Sequence, residues 1–358
     1  MPHEVNPEQP VSAPGLEERK FDEVRPPLTK DLVEPSPFIN QILTRWSSAQ
    51  PVMDYLRRSV KEGAFNGGFD NGFETAVNLE NALAEYQELP IPSRKFHLLA
   101  FSMMLRDLLW ASSDYMSESE ELTGGVTNYH ALVNYLTQWV SKRKGERCVV
   151  FLSMNYDLLL ERALKASFPE SDFFGIDSYL AHDWISVLKP HGSVQWGYRA
   201  MGQDFALNLD ALAHGTESII LAATDGVDET EILIQDSPFH DWSSTMSSQT
   251  LMVPAMALPI ADKLDFVWPR EQEDRLTELL GAVSVLLTIG WSGLDEHIMK
   301  RLRPLVRETA EVWVVSGSPK GATSVAENLG RHIDTESIHT VDTGFRQSIE
   351  KELRDILL

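Results

Sequence analysis

From residue 147 onward, short apolar runs alternate with segments of helical periodicity, and this alternation constrains the fold most strongly. The first run, 148–153, is rich in β-branched and aromatic residues, and a predicted helix over 157–167 follows it at once. The other predicted strands are 185–188, 218–222, 283–289 and 311–315, and the other predicted helices are 271–280, 296–307, 322–329 and 347–357. Strands that alternate with helices predict an α/β fold built on a parallel sheet.

The rest of the chain differs in character from this alternating part. The spacing of apolar residues predicts one or two helices over 38–60 and a helical region over 61–144, which begins with a glycine-rich loop. Residues 198–262 are rich in Met, Asp and Pro, and we expect loops and short elements there, lying over one end of the sheet. Prolines are concentrated in residues 1–37, which predicts a flexible tail over 1–20 and an extended segment after it.

Charge and cysteine content exclude several classes of protein. The chain has 31 Lys and Arg against 53 Asp and Glu, a net charge of −22, which disfavours direct binding of nucleic acid or of an anionic membrane. The single cysteine, Cys148, excludes an intrachain disulfide and a zinc site built on several cysteines. The longest apolar run, 282–291, is well short of the ~20 residues that span a membrane. Because no signal peptide pattern is visible, we expect a cytoplasmic protein.

Polar residues follow the first predicted strand where the next helix begins. Ser153 ends the strand, and Asn155 and Asp157 lie in the turn. Ligands of open α/β sheets bind beyond the carboxyl ends of the strands, so these residues are candidates for a functional site. Either Asn155 or Asp157 is also a good cap for the following helix. A cap needs only one such residue, whereas this turn supplies two.

A histidine follows the second predicted strand, in the segment Lys189-Pro-His191-Gly192-Ser193. Histidine titrates near neutral pH and is therefore a natural general base. Gly192 would let the backbone approach a ligand closely. The alternative is a purely structural histidine in a tight turn.

The predicted strand 283–289 ends in Gly290, with Ser292 and Asp295 close behind. Glycine and a hydroxyl at the end of a strand suit the ribose or phosphate of a nucleotide. The alternative is an ordinary turn in which Asp295 caps the next helix.

Taken in order, these three motifs resemble the sirtuin-like family, and more closely its bacterial branch whose members hydrolyse NAD in antiphage defence. Asn155-Tyr-Asp157 is similar to the family's Asn-x-Asp turn, and His191-Gly192 to its catalytic His-Gly turn. Gly290-Trp-Ser292, followed by Asp295, is similar to a Gly-Tyr-Ser…Asp strand end in this branch. The segment 343–345 is similar to a closing segment that borders the nucleotide.

The resemblance implies a Rossmann-like parallel sheet flanked by helices, with NAD as the substrate across its carboxyl edge and no metal. The domain would be a single sirtuin-like unit over 21–358, with a helical insertion at about 61–144. His191 would be the general base, Asn155 would hold the nicotinamide ribose or the attacking water, and Asp157 would support that loop. The residues expected to bind NAD are Ser153, Gly192, Ser193, Gly290, Ser292, Asp295 and Phe345.

The chain departs from the family in two respects. It lacks the four-cysteine zinc module of protein-deacylating sirtuins, which favours hydrolysis of NAD to nicotinamide and ADP-ribose over deacylation. It also shows no apolar strand running into Gly-Ala-Gly-x-Ser, whose backbone N–H groups hold the pyrophosphate. The alternative function is therefore a non-catalytic or partner-completed scaffold, or a nucleotide-sensing module.

Two other enzyme classes fit the sequence poorly. An NAD-dependent dehydrogenase would need Gly-x-Gly-x-x-Gly after a strand, and the sequence shows no such motif. A metal-dependent hydrolase would need a third ligand at metal spacing, which both His182-Asp183 and His240-Asp241 lack.

Uncontrolled NAD destruction would be toxic to the cell. We therefore expect gating of activity by a homo-oligomer, a defence partner or an infection signal.

Overall fold

The 358-residue chain is seen here in a computed structural model. The structure describes residues 36–66, 72–123, 128–142, 148–169, 176–180, 184–200, 226–234, 252–258, 267, 269–280, 283–291, 293, 295–303, 310–333 and 337–351. The tail predicted over 1–20 and the strand predicted over 218–222 lie outside these residues, as do the two His-Asp pairs at 182–183 and 240–241.

The described residues before position 142 are almost entirely helical. The helices are α1 (Pro37–Arg45), α2 (Gln50–Asn66), α3 (Gly72–Glu88), α4 (Arg94–Thr123) and α5 (Asn128–Ser141). Within α4 every residue from Ala100 to Trp110 is buried, including the charged Arg106 and Asp107, so this part of the helix is enclosed on all sides rather than amphipathic. The helical character predicted for 38–60 and 61–144 agrees with the structure. That these helices form an insertion stays a prediction.

Strands and helices alternate in the remainder of the chain. The elements are β1 (Val149–Leu152), α6 (Leu159–Ser167), β2 (Ile185–Leu188), β3 (Gly192–Ala200), β4 (Val227–Ile234), β5 (Met252–Met256), α7 (Arg270–Leu280), β6 (Val285–Ile289), α8 (Glu296–Leu302), β7 (Glu311–Val315), α9 (Pro319–Gly330), β8 (Ile338–Val341) and α10 (Gly344–Glu350). The short strand β8 is an element that the sequence did not predict.

The parallel strands form two ladders. β1 pairs with β2 in parallel, and β6, β7 and β8 pair in parallel in that order. Side chains of β1 and β6 pack against one apolar cluster, whose buried members come from α5 and α10. Strand β2 is buried along its whole length, as expected for an apolar strand of a parallel sheet. The α/β fold with parallel strands and flanking helices is confirmed, and it is consistent with a Rossmann-like arrangement.

A three-stranded antiparallel sheet lies in a region where loops and short elements were predicted. Its order is β4-β3-β5, with a register shift between Tyr198 and Arg199. The prediction of loops and short elements for 198–262 did not identify the end of β3, β4 or β5 as strands. Pro254 lies in β5 at the edge of this sheet, where a missing N–H donor is tolerated.

Helix α4 joins the helical region to this antiparallel sheet. The buried Arg106 donates from Nε to the carbonyl oxygen of Val194 in β3, at 2.8 Å. Burial lowers the pKa of Arg106 to about 10, although the neighbouring Asp107 opposes this shift. Val194, together with Val253 of β5, also belongs to the apolar core of helices α1 to α4. The helical core therefore supports the strand that begins directly after His191.

Candidate active site

Two of the polar turns lie side by side because β1 and β2 are adjacent parallel strands. Leu152 is opposite Leu188 in the register, and the backbone N–H of Ser153 donates to the carbonyl oxygen of Leu188, at 2.9 Å. The turn containing Asn155 and the turn containing His191 therefore emerge from one edge of the sheet. This is the carboxyl edge, where open α/β sheets bind ligands.

His191 lies in a tight turn between β2 and β3. Gly192 has φ +83°, and a Cβ atom there would lie 2.0 Å from the carbonyl oxygen of Ala255. The backbone of Gly192 therefore packs closely against Ala255 of strand β5, whereas the sequence had predicted a close approach to a ligand. On the other side, the N–H of Ala257 donates to the carbonyl oxygen of His191, at 2.9 Å. The histidine backbone is fixed by β5 and by the conformation of the turn.

The imidazole of His191 is largely buried and has an aromatic neighbour. Its side chain is 8% exposed, and the ring of Tyr156 lies with its centroid 6.2 Å away, at an angle of 34°. The hydroxyl of Tyr156 donates to the carbonyl oxygen of Ala257, at 2.6 Å. Burial raises the pKa of Tyr156, and the negative charges of Glu80 and Asp295 add to the shift. Tyr156 therefore stays neutral at physiological pH and packs beside the histidine.

The turn after β6 brings a carboxylate to the histidine. Oδ1 of Asp295 lies 3.5 Å from Nε2 of His191, and Oδ2 of Asp295 accepts a hydrogen bond from Nε1 of Trp291, at 2.8 Å. Positive φ angles at Gly290 (+63°) and Gly293 (+69°) shape this turn. Asp295 precedes α8 but makes no side-chain capping bond. Its carboxylate contacts His191 and Trp291 instead.

Asn155 is exposed and has a tyrosine partner from α5. Its Nδ2 donates to the hydroxyl of Tyr129, at 3.2 Å. The ring of Tyr129 meets Phe345 edge to face, with centroids 5.6 Å apart. Burial, and then the charge of Asp157, raises the pKa of Tyr129, so its hydroxyl stays protonated. Tyr129 thereby links two residues that the sequence predicted for the site, Asn155 and Phe345.

A buried ion pair lies beneath the two turns. Nζ of Lys189 is 2.7 Å from Oε1 of Glu161 in α6, and both side chains are almost completely buried. The same ammonium donates to the backbone oxygen of Asp157, at 2.6 Å, and approaches Oγ of Ser193, at 3.4 Å. Tyr179 donates to Glu161, at 3.2 Å. Lys189 thus ties the turn after β1 to the turn after β2.

The carboxylate of Asp157 points into the protein. Its Oδ1 accepts from the N–H of Leu159 at the start of α6, at 3.1 Å. Burial raises the pKa of Asp157, while Lys189 and the Leu159 N–H act in the opposite direction. The geometry gives Asp157 a supporting place below the loop, and it also satisfies an amide of the helix start.

The other predicted residues occupy different positions. Gly290 lies at the end of β6, and its N–H donates to the carbonyl oxygen of Val315, at 3.1 Å. Ser193 is buried, with its hydroxyl toward Lys189 and Tyr156 rather than at the surface. Ser292 lies outside the described residues. Of the predicted set, the structure brings His191 together with Asp295, and Asn155 and Phe345 contact the same residue, Tyr129.

Sequence reasoning missed the residues that connect the site. Tyr129, Tyr156 and Trp291 received no role, although Tyr156 and Trp291 lie inside quoted motifs. Lys189 was quoted without a role as well, and Glu161 was not singled out. Their charge was a usable signal, because a lysine between an apolar strand and a proline needs a buried partner.

The described residues lack two features, a metal-binding cluster and a membrane-spanning helix. Among the described residues, no three His, Cys, Asp or Glu side chains form a group that could hold a metal ion. Within the same part of the chain, no helix combines the length and the apolar character needed to cross a membrane.

The fold and the site define an α/β protein with a candidate ligand site at the carboxyl edge of parallel strands, centred on a histidine. A family model for the SIR2-like domain matches residues 149–338, from the start of β1 to the start of β8, which is more than half of the 358 residues. The chain belongs to the SIR2-like domain family. No curated protein matches it. SIR2-like domains use NAD, so the protein has an NAD-related function. Helices α1 to α5 lie before the segment that matches the family model.

Proposed function

We propose that the protein hydrolyses NAD to nicotinamide and ADP-ribose, with His191 as the general base. The observation that carries this proposal is the pair formed by His191 and Asp295 at the carboxyl edge of the parallel strands, beside the turn of Asn155. A buried imidazole next to a carboxylate is suited to accepting a proton. Membership of the SIR2-like domain family identifies NAD as the ligand class.

The reaction needs little chemistry from the protein. Cleavage of the bond between the nicotinamide nitrogen and C1′ of the ribose releases neutral nicotinamide and passes through a state with oxocarbenium character. A water oxygen forms the new bond to C1′, and its proton goes to His191. The products are nicotinamide, ADP-ribose and one proton, which His191 later releases to solvent. The protein must position the water, accept its proton and exclude other water.

Asn155 has the position and the groups to hold the reacting water or the nicotinamide ribose. Its Nδ2 donates to the hydroxyl of Tyr129, and its Oδ1 can accept a hydrogen bond. Lys189 and Asp157 lie below, where they keep the two turns at a fixed distance. Gly290, Ser292 and Phe345 are assigned to NAD binding on the resemblance of their motifs.

Product analysis with the wild type and three variants tests the proposal. Purified wild type, Asn155→Ala and His191→Ala are incubated with NAD, and nicotinamide and ADP-ribose are measured by mass spectrometry. We expect both products from the wild type and at least about 100-fold less from His191→Ala. Asn328→Ala in α9 is the matched control for Asn155→Ala and keeps full activity. Equal turnover by wild type and His191→Ala, with both folded, would contradict the assignment.

Regulation by assembly is part of the proposal, because unregulated hydrolysis would empty the cell of NAD. The resemblance to the defence branch supports a role against phage, with oligomerisation or a defence partner as the gate. The acidic helical region 61–144 supplies the surface for such contacts. Specific activity should then rise with protein concentration, in step with the mass measured by light scattering. A monomer with constant specific activity would contradict gating by a homo-oligomer.

A further inference from the structure

The carboxylate of Asp295 faces one particular nitrogen of the His191 ring. Oδ1 lies 3.5 Å from Nε2, which is long for a hydrogen bond of a neutral ring but within the range of an ion pair. A carboxylate offers only acceptors, so the ring nitrogen that faces it is the one that carries a proton. The other nitrogen, Nδ1, then keeps its lone pair.

Asp295 is itself held in place by its own turn. Trp291 donates to Oδ2, which fixes the rotation of the carboxylate and leaves Oδ1 directed to His191. The two glycines with positive φ, Gly290 and Gly293, let the chain fold back so that Trp291 and Asp295 meet. The side chain of Asp295 is 27% exposed, so this carboxylate is partly screened by solvent while the imidazole is not.

We infer that Asp295 is a positioning residue that holds Nε2–H of His191 and so makes Nδ1 the atom that accepts the proton. This inference rests on the proposed function and deepens it, because it names the reacting atom of the base. In the proposed step, the water proton moves to Nδ1, and the resulting imidazolium keeps Nε2–H toward the negative charge of Asp295. Asp295 does not itself take up the proton.

The groups around the ring determine how it titrates. They include Asp295 before α8 and Tyr156 after β1, whose pKa is raised so that it stays neutral. Glu80 of α3 acts on Tyr156 from the helical side. Lys189 is turned away from the ring, toward Glu161. Of these groups, Asp295 is the charge within ion-pair distance of the imidazole, so its removal should destabilise the imidazolium.

Nitrogen-15 NMR of His191 tests the inference without any need for turnover. Among the chain's 10 histidines, the His191 signals are assigned by their loss in His191→Ala. We expect the unprotonated ring of the wild type to carry its proton on Nε2 and its lone pair on Nδ1. A lone pair on Nε2 would overturn the inference. This measurement uses wild-type protein, so it does not depend on the folding of any further variant.

The titration midpoint of His191 gives the second readout. In Asp295→Asn the midpoint should fall by about one pH unit, whereas Glu296→Gln, which removes the exposed neighbouring carboxylate, should leave it nearly unchanged. In the NAD assay, Asp295→Asn should lower kcat more than it raises KM and move the acid limb of the rate profile to lower pH. A midpoint equal to that of the wild type would overturn the inference.

The two claims fail in different ways. Absence of NAD turnover in the wild type would contradict the proposed function. The NMR measurement would still test whether Asp295 pairs with Nε2–H of His191. Conversely, an unchanged His191 midpoint in Asp295→Asn, together with normal NAD turnover, would leave the proposed function standing without Asp295.

Discussion

Lys189 and Glu161 form a buried ion pair, with 2.7 Å between Nζ and Oε1. The pair joins the helix after β1 to the turn that carries the catalytic candidate, His191. Among the described residues, the second carboxylate oxygen of Glu161 has no hydrogen-bond partner, so the ammonium is the principal compensation for burying this charge. The pair therefore fixes the geometry of the site at a considerable cost in desolvation.

Removing the lysine alone should strongly destabilise the protein. In Lys189→Met, Glu161 would remain as an unpaired charge in the core, which costs about 3–5 kcal/mol. Chemical denaturation measures this loss. Lys300→Met is the matched control, because it breaks an exposed pair with Glu296, and it should leave stability nearly unchanged.

A double variant separates the pair from the general packing of the site. Lys189→Met combined with Glu161→Leu removes both charges, and we expect it to recover most of the lost stability. Equal instability of the single and double variants would contradict the view that an unpaired charge is the cause.

Asp157 should make stability depend on pH. Burial raises its pKa above the ordinary value of 3.8, so the folded protein binds this proton more tightly than the unfolded chain does. Stability is then lost as the pH rises from about 4 through the folded-state pKa. Asp157→Asn removes the titration and keeps an oxygen for the N–H of Leu159.

Urea unfolding at several pH values checks this effect. Relative to the wild type, Asp157→Asn should gain stability as the pH rises. The difference in unfolding free energy, variant minus wild type, should therefore increase from about pH 4 to pH 7. A difference that does not change with pH would contradict the burial effect.

Gly192 should tolerate no side chain. A Cβ there would meet the carbonyl oxygen of Ala255, and φ is +83°, so Gly192→Ala should cost about 3 kcal/mol or more. Gly290→Ala has open space around its Cβ but φ +63°, and it should cost about 1–2 kcal/mol. Gly317→Ala meets neither restriction and should be close to neutral. Thermal unfolding of the three variants gives the order, and a different order would contradict the geometry of the turn.

Tyr129 should affect turnover without affecting the fold. Tyr129→Phe removes the hydroxyl that accepts from Asn155 but keeps the ring on Phe345. We expect kcat for NAD to fall about two- to tenfold, the worth of one neutral hydrogen bond, with an unchanged melting temperature. Tyr135→Phe, on the same helix, is the control and should keep full activity. Equal kcat values for the two variants would mean that Tyr129 does not orient Asn155.

The local part of the fold was readable from the sequence. β2 and β7 have the predicted bounds, because each is a short apolar run that must be buried between helices. The turn with His191 and Gly192 was likewise predicted, since glycine and proline mark such turns strongly.

The pairings between distant segments were not readable. Asp295 was predicted to bind NAD, with a helix cap as the alternative, and nothing in its local sequence indicates that it faces His191. Tyr129 lies on a helix before the family match, so its contact with Asn155 depends on how α5 packs on the sheet. The antiparallel sheet was missed because Pro254 and irregular patterning hid an edge strand that tertiary contacts stabilise.

The most direct test of NAD hydrolysis at this site is nicotinamide release, followed by proton NMR with protein and NAD at equal concentration. We predict that free nicotinamide and ADP-ribose appear together, one for one, with wild-type protein and not with His191→Ala of equal thermal stability. If the wild type releases no nicotinamide when assembled at high concentration, or if His191→Ala releases it at the same rate, the assignment of this site as an NAD hydrolase is wrong.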